Sequence, residues 1–336
     1  MTSPTWPTSP TWREAVQRAL YGPDGFYRRP EGPAGHFRTS VHAAPDLLAG
    51  ALVRLARAAG LTGVVDVGAG RGELLAAVHA ADPDLSLLGV DVVPRPSGLV
   101  PAAGWAQELP ERLPGVLVVA NEWLDDVPCD VVVRTADGWR VELVDPSTGA
   151  TRVGPPPARE DAGWLERWWP AASADVGDRA EVGRSRDLAW AGVVSRLDGS
   201  AAVAVDYAHS RAERVAGRWP AGTLVGYVDG RSVEPVPDGR CDVTAHVALD
   251  SCAEAGEAAG AGWTLLTVQR TALRALGVAG ERPPPELART EPRAYLAALS
   301  RAGAAAELTD PAGLGAFGWL VQGVGVAAPG LLAATV

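Results

Sequence analysis

The 336-residue chain contains no lysine, so all 30 of its basic residues are arginine. That absence excludes chemistry built on a lysine amine, including a pyridoxal phosphate Schiff base and the phosphate loop that ends in Lys. Cysteine is scarce: Cys129, Cys241 and Cys252 form no Cys-x-x-Cys pair, and neither a disulfide framework nor a thiolate zinc site is indicated. No two histidines stand three or four residues apart, and His-Glu-x-x-His and Gly-x-Ser-x-Gly are missing, so no metal is expected. Positive charge is in deficit. Against 40 acidic residues the arginines leave a net charge of −10, which argues against nucleic acid or an anionic membrane as the main partner. The start, Met1 to Trp12, lacks the basic segment and apolar run of a secretory signal, and a cytoplasmic location is the expectation. Long apolar runs are also rare. Leu314 to Val336 is uncharged, but its glycines together with Gln322 and Pro329 make a poor helix, so a terminal strand over Phe317 to Val326 is expected instead of a membrane span.

What is present is the composition of a folding chain, with 47% hydrophobic and 21% charged residues. Its length allows two domains or one large domain with insertions. A helical candidate, Trp12 to Leu20, precedes a loop rich in Gly and Pro. From Asp46 to Ala59 the residues Leu47, Leu48, Ala51, Leu52, Leu55 and Ala56 fall on one stripe, which predicts a helix with one buried face. Val64 to Val67, a glycine loop, a helix over Glu73 to Ala81 and Leu85 to Val90 then read as strand, helix, strand, hence a parallel sheet. Val116 to Ala120 reads as the third core strand. Further strands are expected at Val131 to Val133 with a hairpin partner at Trp139 to Val144, at Ala201 to Val205 and at Leu265 to Val268. The order suggests a doubly wound α/β core. Between about 145 and 196 a triple proline and Trp164, Trp168, Trp169 and Trp190 mark an insertion.

The sharpest motif is Asp66-Val67-Gly68-Ala69-Gly70-Arg71-Gly72, between a strand and a helix, where glycines let backbone turn tightly against a ligand. A dinucleotide fingerprint would need a third glycine at 73, and that residue is Glu73, so the pyrophosphate reading weakens. An acid two residues before Gly-x-Gly-x-Gly is associated instead with S-adenosylmethionine (SAM), which has no phosphates. Asp91 ends the next strand, where a carboxylate could accept both ribose hydroxyls. Asn121, Glu122, Asp125 and Asp126 follow the third core strand, at the end of the sheet where ligands collect. Trp105 falls between strands two and three, where an adenine ring could stack, although packing in a core explains it equally well.

Several elements resemble the MidA-like SAM methyltransferases along nearly the whole chain. Ala19 to Tyr27 resembles the family's opening segment, and Gly35-His36-Phe37-Arg38-Thr39-Ser40 its Gly-Asp-Phe-x-Thr-Ser. Asn121-Glu122-Trp123-Leu124-Asp125-Asp126-Val127-Pro128 resembles its Asn-Glu-x-x-Asp-Ala-x-Pro, and Val205-Asp206-Tyr207 the start of its Ile-Asp-Tyr-Gly. Gly222 to Tyr227 and Gly239 to Val247 are similar to Gly-Thr-Leu-x-x-Tyr and Gly-x-x-Asp-Leu-Thr-x-His-Val. His36 stands where the family has Asp, Asp126 where it has Ala, and Ala208 where it has Gly.

The resemblance implies a Rossmann-like class I methyltransferase core with a helical N-terminal arm and insertions. The arm and first helix would occupy 1–60, and the core 61–336, with an insertion at about 145–196 and a helical substrate-side segment at about 208–302. It implies SAM as cofactor, held by Asp66, Gly68, Gly70, Gly72, Asp91, Trp105 and Asn121. It also implies a protein arginine as acceptor, by analogy with the mitochondrial member that methylates arginine during respiratory complex I assembly. Glu122 and Asp125 are the expected catalytic carboxylates, with His36, Asp126, Asp206 and Tyr207 on the substrate side. A small-molecule acceptor, or a SAM-binding assembly factor without turnover, are the alternatives. The oligomeric state is not legible.

Overall fold

The structure is a computed structural model and describes residues 9–29 and 39–331. It divides into two compact units. The first contains 39–123, 192–207 and 256–331, and the second 9–29, 124–191 and 208–255.

The first unit is built on a seven-stranded sheet. Its strands in chain order are β1 (Gly63–Val67), β2 (Ser86–Val90), β3 (Ala103–Ala106), β4 (Val116–Asn121), β5 (Ser200–Asp206), β6 (Trp263–Val268) and β7 (Gly318–Val324). They lie side by side as β3-β2-β1-β4-β5-β7-β6. β1 to β5 run parallel, and β7 is antiparallel to both β5 and β6. Every residue of β1 and β5 is buried, which is why both read as continuous apolar runs and not as alternating ones. The order reverses between β1 and β4, so the loops after these two strands diverge and leave a crevice at their carboxyl ends, as in Rossmann-like folds.

One core joins the sheet to its helices. The predicted stripe forms helix α1 (Pro45–Ala58), which begins on Pro45. Its Leu48, Leu52 and Leu55 are buried with Leu75 and Val78 of α2 (Glu73–Ala81), and with Val64, Leu117, Val119, Val203 and Trp319 of the sheet. Gln269 is the polar centre of this core. It accepts from the indole N–H of Trp319 at 3.2 Å and donates to Ser40 Oγ at 3.4 Å and Leu308 O at 3.3 Å.

The second unit pairs strands Asp130–Thr135, Gly138–Val144, Thr151–Val153 and Arg179–Val182 in one sheet, and Val225–Val228, Arg231–Val233 and Asp242–Thr244 in another. Helix Trp12–Tyr21 starts from a capping box between Thr11 and Glu14 and buries Trp12, Val16 and Leu20 against Val131, Val144 and Val243. Trp164, Trp169 and Trp190 of the expected insertion are buried, Trp168 partly so, and Trp164 and Trp169 pack with Val132, Trp139 and Val182.

Two expectations need correction. Val116–Asn121 is the fourth strand of the seven-stranded sheet in chain order, because Ala103–Ala106 forms an extra edge strand beside β2; Gly104 and two alanines in four residues hide it from any apolar pattern. The segment at about 208–302 is not wholly helical, since it also carries the three-stranded sheet and β6. The uncharged run near the C-terminus forms β7 as expected, and among the described residues no helix is long and apolar enough to cross a membrane.

Because Trp319 is fully buried and satisfies Gln269, Trp319→Ala should lower unfolding free energy by about 3–5 kcal/mol through its cavity. Trp319→Phe keeps most of the ring but leaves the Gln269 oxygen without its donor, for a loss of about 1–3 kcal/mol. Urea denaturation followed by circular dichroism measures both, and equal losses would remove the polar contribution.

Candidate active site

The glycine loop leaves β1 directly after Asp66 and Val67. Gly68, Gly70 and Gly72 all have positive φ, at 73°, 55° and 82°, a conformation that side chains rarely adopt. Their surroundings differ. A methyl group on Gly68 would lie 2.9 Å from Cδ1 of Trp123, and one on Gly72 would lie 2.2 Å from Cδ1 of Leu99, so both are covered by the protein itself. Above Gly70 the nearest atom is Glu73 Oε2 at 3.9 Å, which leaves a ligand free to approach the backbone there.

Carboxylates frame this opening. Asp91, one residue beyond β2, accepts from Gly70 N–H at 2.8 Å and from Val93 N–H at 3.2 Å, and so ties the loop to the end of the strand. Asp66 is buried, and its pKa is raised well above the usual carboxylate range by that burial, then by the charges of Asp91 and Glu73. Three acids beside a glycine loop repel a pyrophosphate but suit a ligand with hydroxyls and positive charge. Trp105 lies on β3 with its ring against Gly89, and its indole N–H donates to Val93 O at 3.0 Å.

At the end of β4 the backbone turns sharply. Glu122 has φ of 50°, a left-handed conformation that costs a residue with Cβ about 1–3 kcal/mol and clusters at functional sites. Its N–H donates to Val205 O at 2.7 Å. Its carboxylate accepts from Ser40 N–H at 2.8 Å and from Asn121 Nδ2 at 3.1 Å, so it holds the start of the short helix Ser40–Ala43. Asp206 ends β5 fully buried, and the Tyr207 ring packs on Phe317 with centroids 4.2 Å apart. The first unit thus brings together the predicted cofactor residues at the crevice, with Asn121 and Glu122 on its other rim.

Asp125 and Asp126 belong to the second unit, where they meet residues for which spacing gave no signal. Arg186 is buried, and its guanidinium donates to three backbone oxygens: Asp125 O at 2.7 Å, Val127 O at 3.2 Å and His246 O at 2.8 Å. Burial raises the Asp125 carboxyl to about 6 although Arg186 opposes it. Tyr27 lies between Asp126 and Asp242, its hydroxyl 2.5 Å from Asp126 Oδ2 and 3.0 Å from Asp242 Oδ1. Burial, then Asp125, lifts Asp242 to about 7. Tyr27 and Asp242 sit inside motifs that carry the family resemblance; Arg186 lies in a helix whose pattern announces nothing. His36 falls outside the described residues.

A doubly wound sheet with a glycine loop framed by acids at its switch point is the arrangement of a SAM-dependent methyltransferase, and the comparisons agree. Residues 97–267 match the family model described as "Putative S-adenosyl-L-methionine-dependent methyltransferase", which is half of the chain. The chain belongs to that family, in line with its MidA-like motifs. A protein of Burkholderia thailandensis solved with S-adenosyl-homocysteine is 26% identical, with a TM-score of 0.80 over 97% of this chain and 90% of that one. A native structure from the same superfamily and organism is 27% identical, with a TM-score of 0.77 over 95% and 88% of the two chains. No curated protein matches the chain.

Asp91→Ala removes both a candidate hydroxyl acceptor and the anchor of Gly70. SAM affinity measured by isothermal titration should fall at least tenfold, about 1.4 kcal/mol or more. An unchanged affinity would move the cofactor contact away from the end of β2.

Proposed function

We propose that the chain transfers the methyl group of SAM to a cationic nitrogen, the guanidinium of a protein arginine. The observation that carries this reading is the cluster of acids formed by buried Asp125 and Asp242 with half-buried Asp126. A guanidinium keeps its proton at any ordinary pH, so it must be oriented and desolvated first and lose its proton only as the new bond forms. A carboxylate lifted to about 6 suits that late step, since a proton acceptor works best when its pKa is near the working pH. Bound SAM supplies a methyl group on a positively charged sulfur. The protein's own task is to align donor and acceptor and exclude water, and such positioning is worth roughly 7–11 kcal/mol.

Within this reading Asp125 accepts the proton, Asp126 contacts the acceptor, and Glu122 fixes the Thr39–Ser40 turn at the rim of the cofactor crevice. The family resemblance makes a respiratory complex I subunit the first acceptor to try. A small-molecule acceptor, the competing reading, has no comparable observation in its favour among the described residues.

The test is transfer from isotopically labelled SAM into a cell lysate, with mass spectrometry locating the label. Label on arginine is expected. Asp125→Asn should slow transfer at least tenfold, about 1.4 kcal/mol, while SAM affinity changes less than twofold. Since the working form of Asp125 is ionised, wild-type transfer should rise with pH through about 6, and the variant should lose that rise. Label on a neutral acceptor, or full transfer by Asp125→Asn, would overturn the assignment.

A further inference from the structure

Tyr27 makes two contacts of hydrogen-bond length, to Asp126 Oδ2 and to Asp242 Oδ1. A phenol has one proton and can donate to only one of them. The second contact needs a second proton, and it must sit on a carboxyl. Tyr27 itself keeps its proton, because burial and then the charges of Asp126 and Asp242 hold its pKa well above the usual phenol value. Of the two acids, Asp242 is fully buried within the strand Asp242–Thr244, whereas Asp126 is half-buried.

We propose that Tyr27 and Asp242 are positioning residues for Asp126: the protonated Asp242 carboxyl donates to Tyr27 Oη, and Tyr27 donates to Asp126 Oδ2. The chain of two hydrogen bonds leaves Asp126 ionised and fixes its rotamer. The backbone around it is held independently, by Tyr21 Oη donating to Asp126 O at 3.1 Å and by Arg186 on Asp125 O and Val127 O. The groups facing Asp242 are Tyr27 from the arm, Asp125 and Asp126 from the loop, and Tyr227 from the neighbouring strand. None of these is a cation, and burial together with the charge of Asp125 accounts for a carboxyl that stays neutral. The role assigned to Asp126 rests on the cationic acceptor proposed above; the proton on Asp242 does not.

Two measurements on the full chain read the relay without any acceptor. Infrared spectroscopy at about pH 5 should show a protonated-carboxyl stretch that Asp242→Asn removes and Tyr27→Phe shifts. A spectrum in which Asp242→Asn removes no intensity would place the proton elsewhere and overturn the proposal. Stability gives the second readout. The native state keeps the Asp242 proton between about pH 4 and 7, where the unfolded chain has released it, so this group's contribution is full below about 4 and lost as pH rises through about 7. The wild type should therefore lose stability relative to Asp242→Asn across that window and not above it. A difference that is flat with pH would also sink the idea.

A third arm separates the relay from the reading of function. Binding of N-acetylarginine amide in the presence of S-adenosyl-homocysteine, followed by tryptophan fluorescence, should weaken at least fivefold in Tyr27→Phe and Asp242→Ala and recover in Asp242→Asn, whose amide can still donate to Tyr27. A merely structural role would show melting differences without this recovery, and would overturn the positioning role. If the infrared and stability arms succeed while the wild type does not bind the amide, the cationic-acceptor reading fails, and the positioning role with it, while the proton stays assigned to Asp242.

Discussion

The reversal of strand order between β1 and β4 is the constraint on which the cofactor side depends. Parallel strands send their connections to one end, and at the reversal the two connections leave in opposite directions, so backbone separates and a ligand can enter. Every cofactor feature is a consequence of that geometry. Asp66 and the glycines leave β1, Asp91 closes β2, and Asn121 with Glu122 closes β4. The helix after the glycine loop packs Leu75 and Val78 into the main core, which anchors the end of the loop.

Charge is handled differently in the two units. Beside the glycine loop, burial and then the nearby acids Asp91 and Glu73 raise the Asp66 pKa, a cost that a positively charged cofactor group would lessen. In the second unit the Arg186 guanidinium donates to three backbone carbonyl oxygens and also lowers the pKa of the nearby Asp125 carboxyl against its burial. A buried guanidinium on three carbonyls fixes the shape of the loop, and its charge offsets only part of the burial that keeps the Asp125 carboxyl above the usual carboxylate range.

Much of the first unit was legible because its signals are local. A buried apolar run, a glycine loop and an amphipathic stripe gave β1, α2, β2 and α1 to within a residue or two, and the same loop spacing chose SAM over a dinucleotide. β3 was hidden by its small residues, since an edge strand with one covered face needs little apolar surface. The second unit was harder because its decisive contacts join side chains far apart in sequence, and such contacts leave no short-range pattern. Arg186 shows the limit, as one of 30 arginines whose role is set by three carbonyls up to 61 residues away. Asp242 and Tyr27 were visible as parts of motifs, but their pairing across 215 residues was not.

Glu122 sits at a position where backbone and side chain make opposed demands. Glycine, or asparagine with its tolerance of positive φ, would relax the turn, yet neither carries a carboxylate long enough to reach the Ser40 amide. Selection for folding alone would drift towards the smaller residues, and selection for the anchored helix resists that drift. Sequence change at 122 is therefore coupled to change at 39–40, and a homologue that has lost the glutamate should have lost or rebuilt the Thr39–Ser40 turn as well.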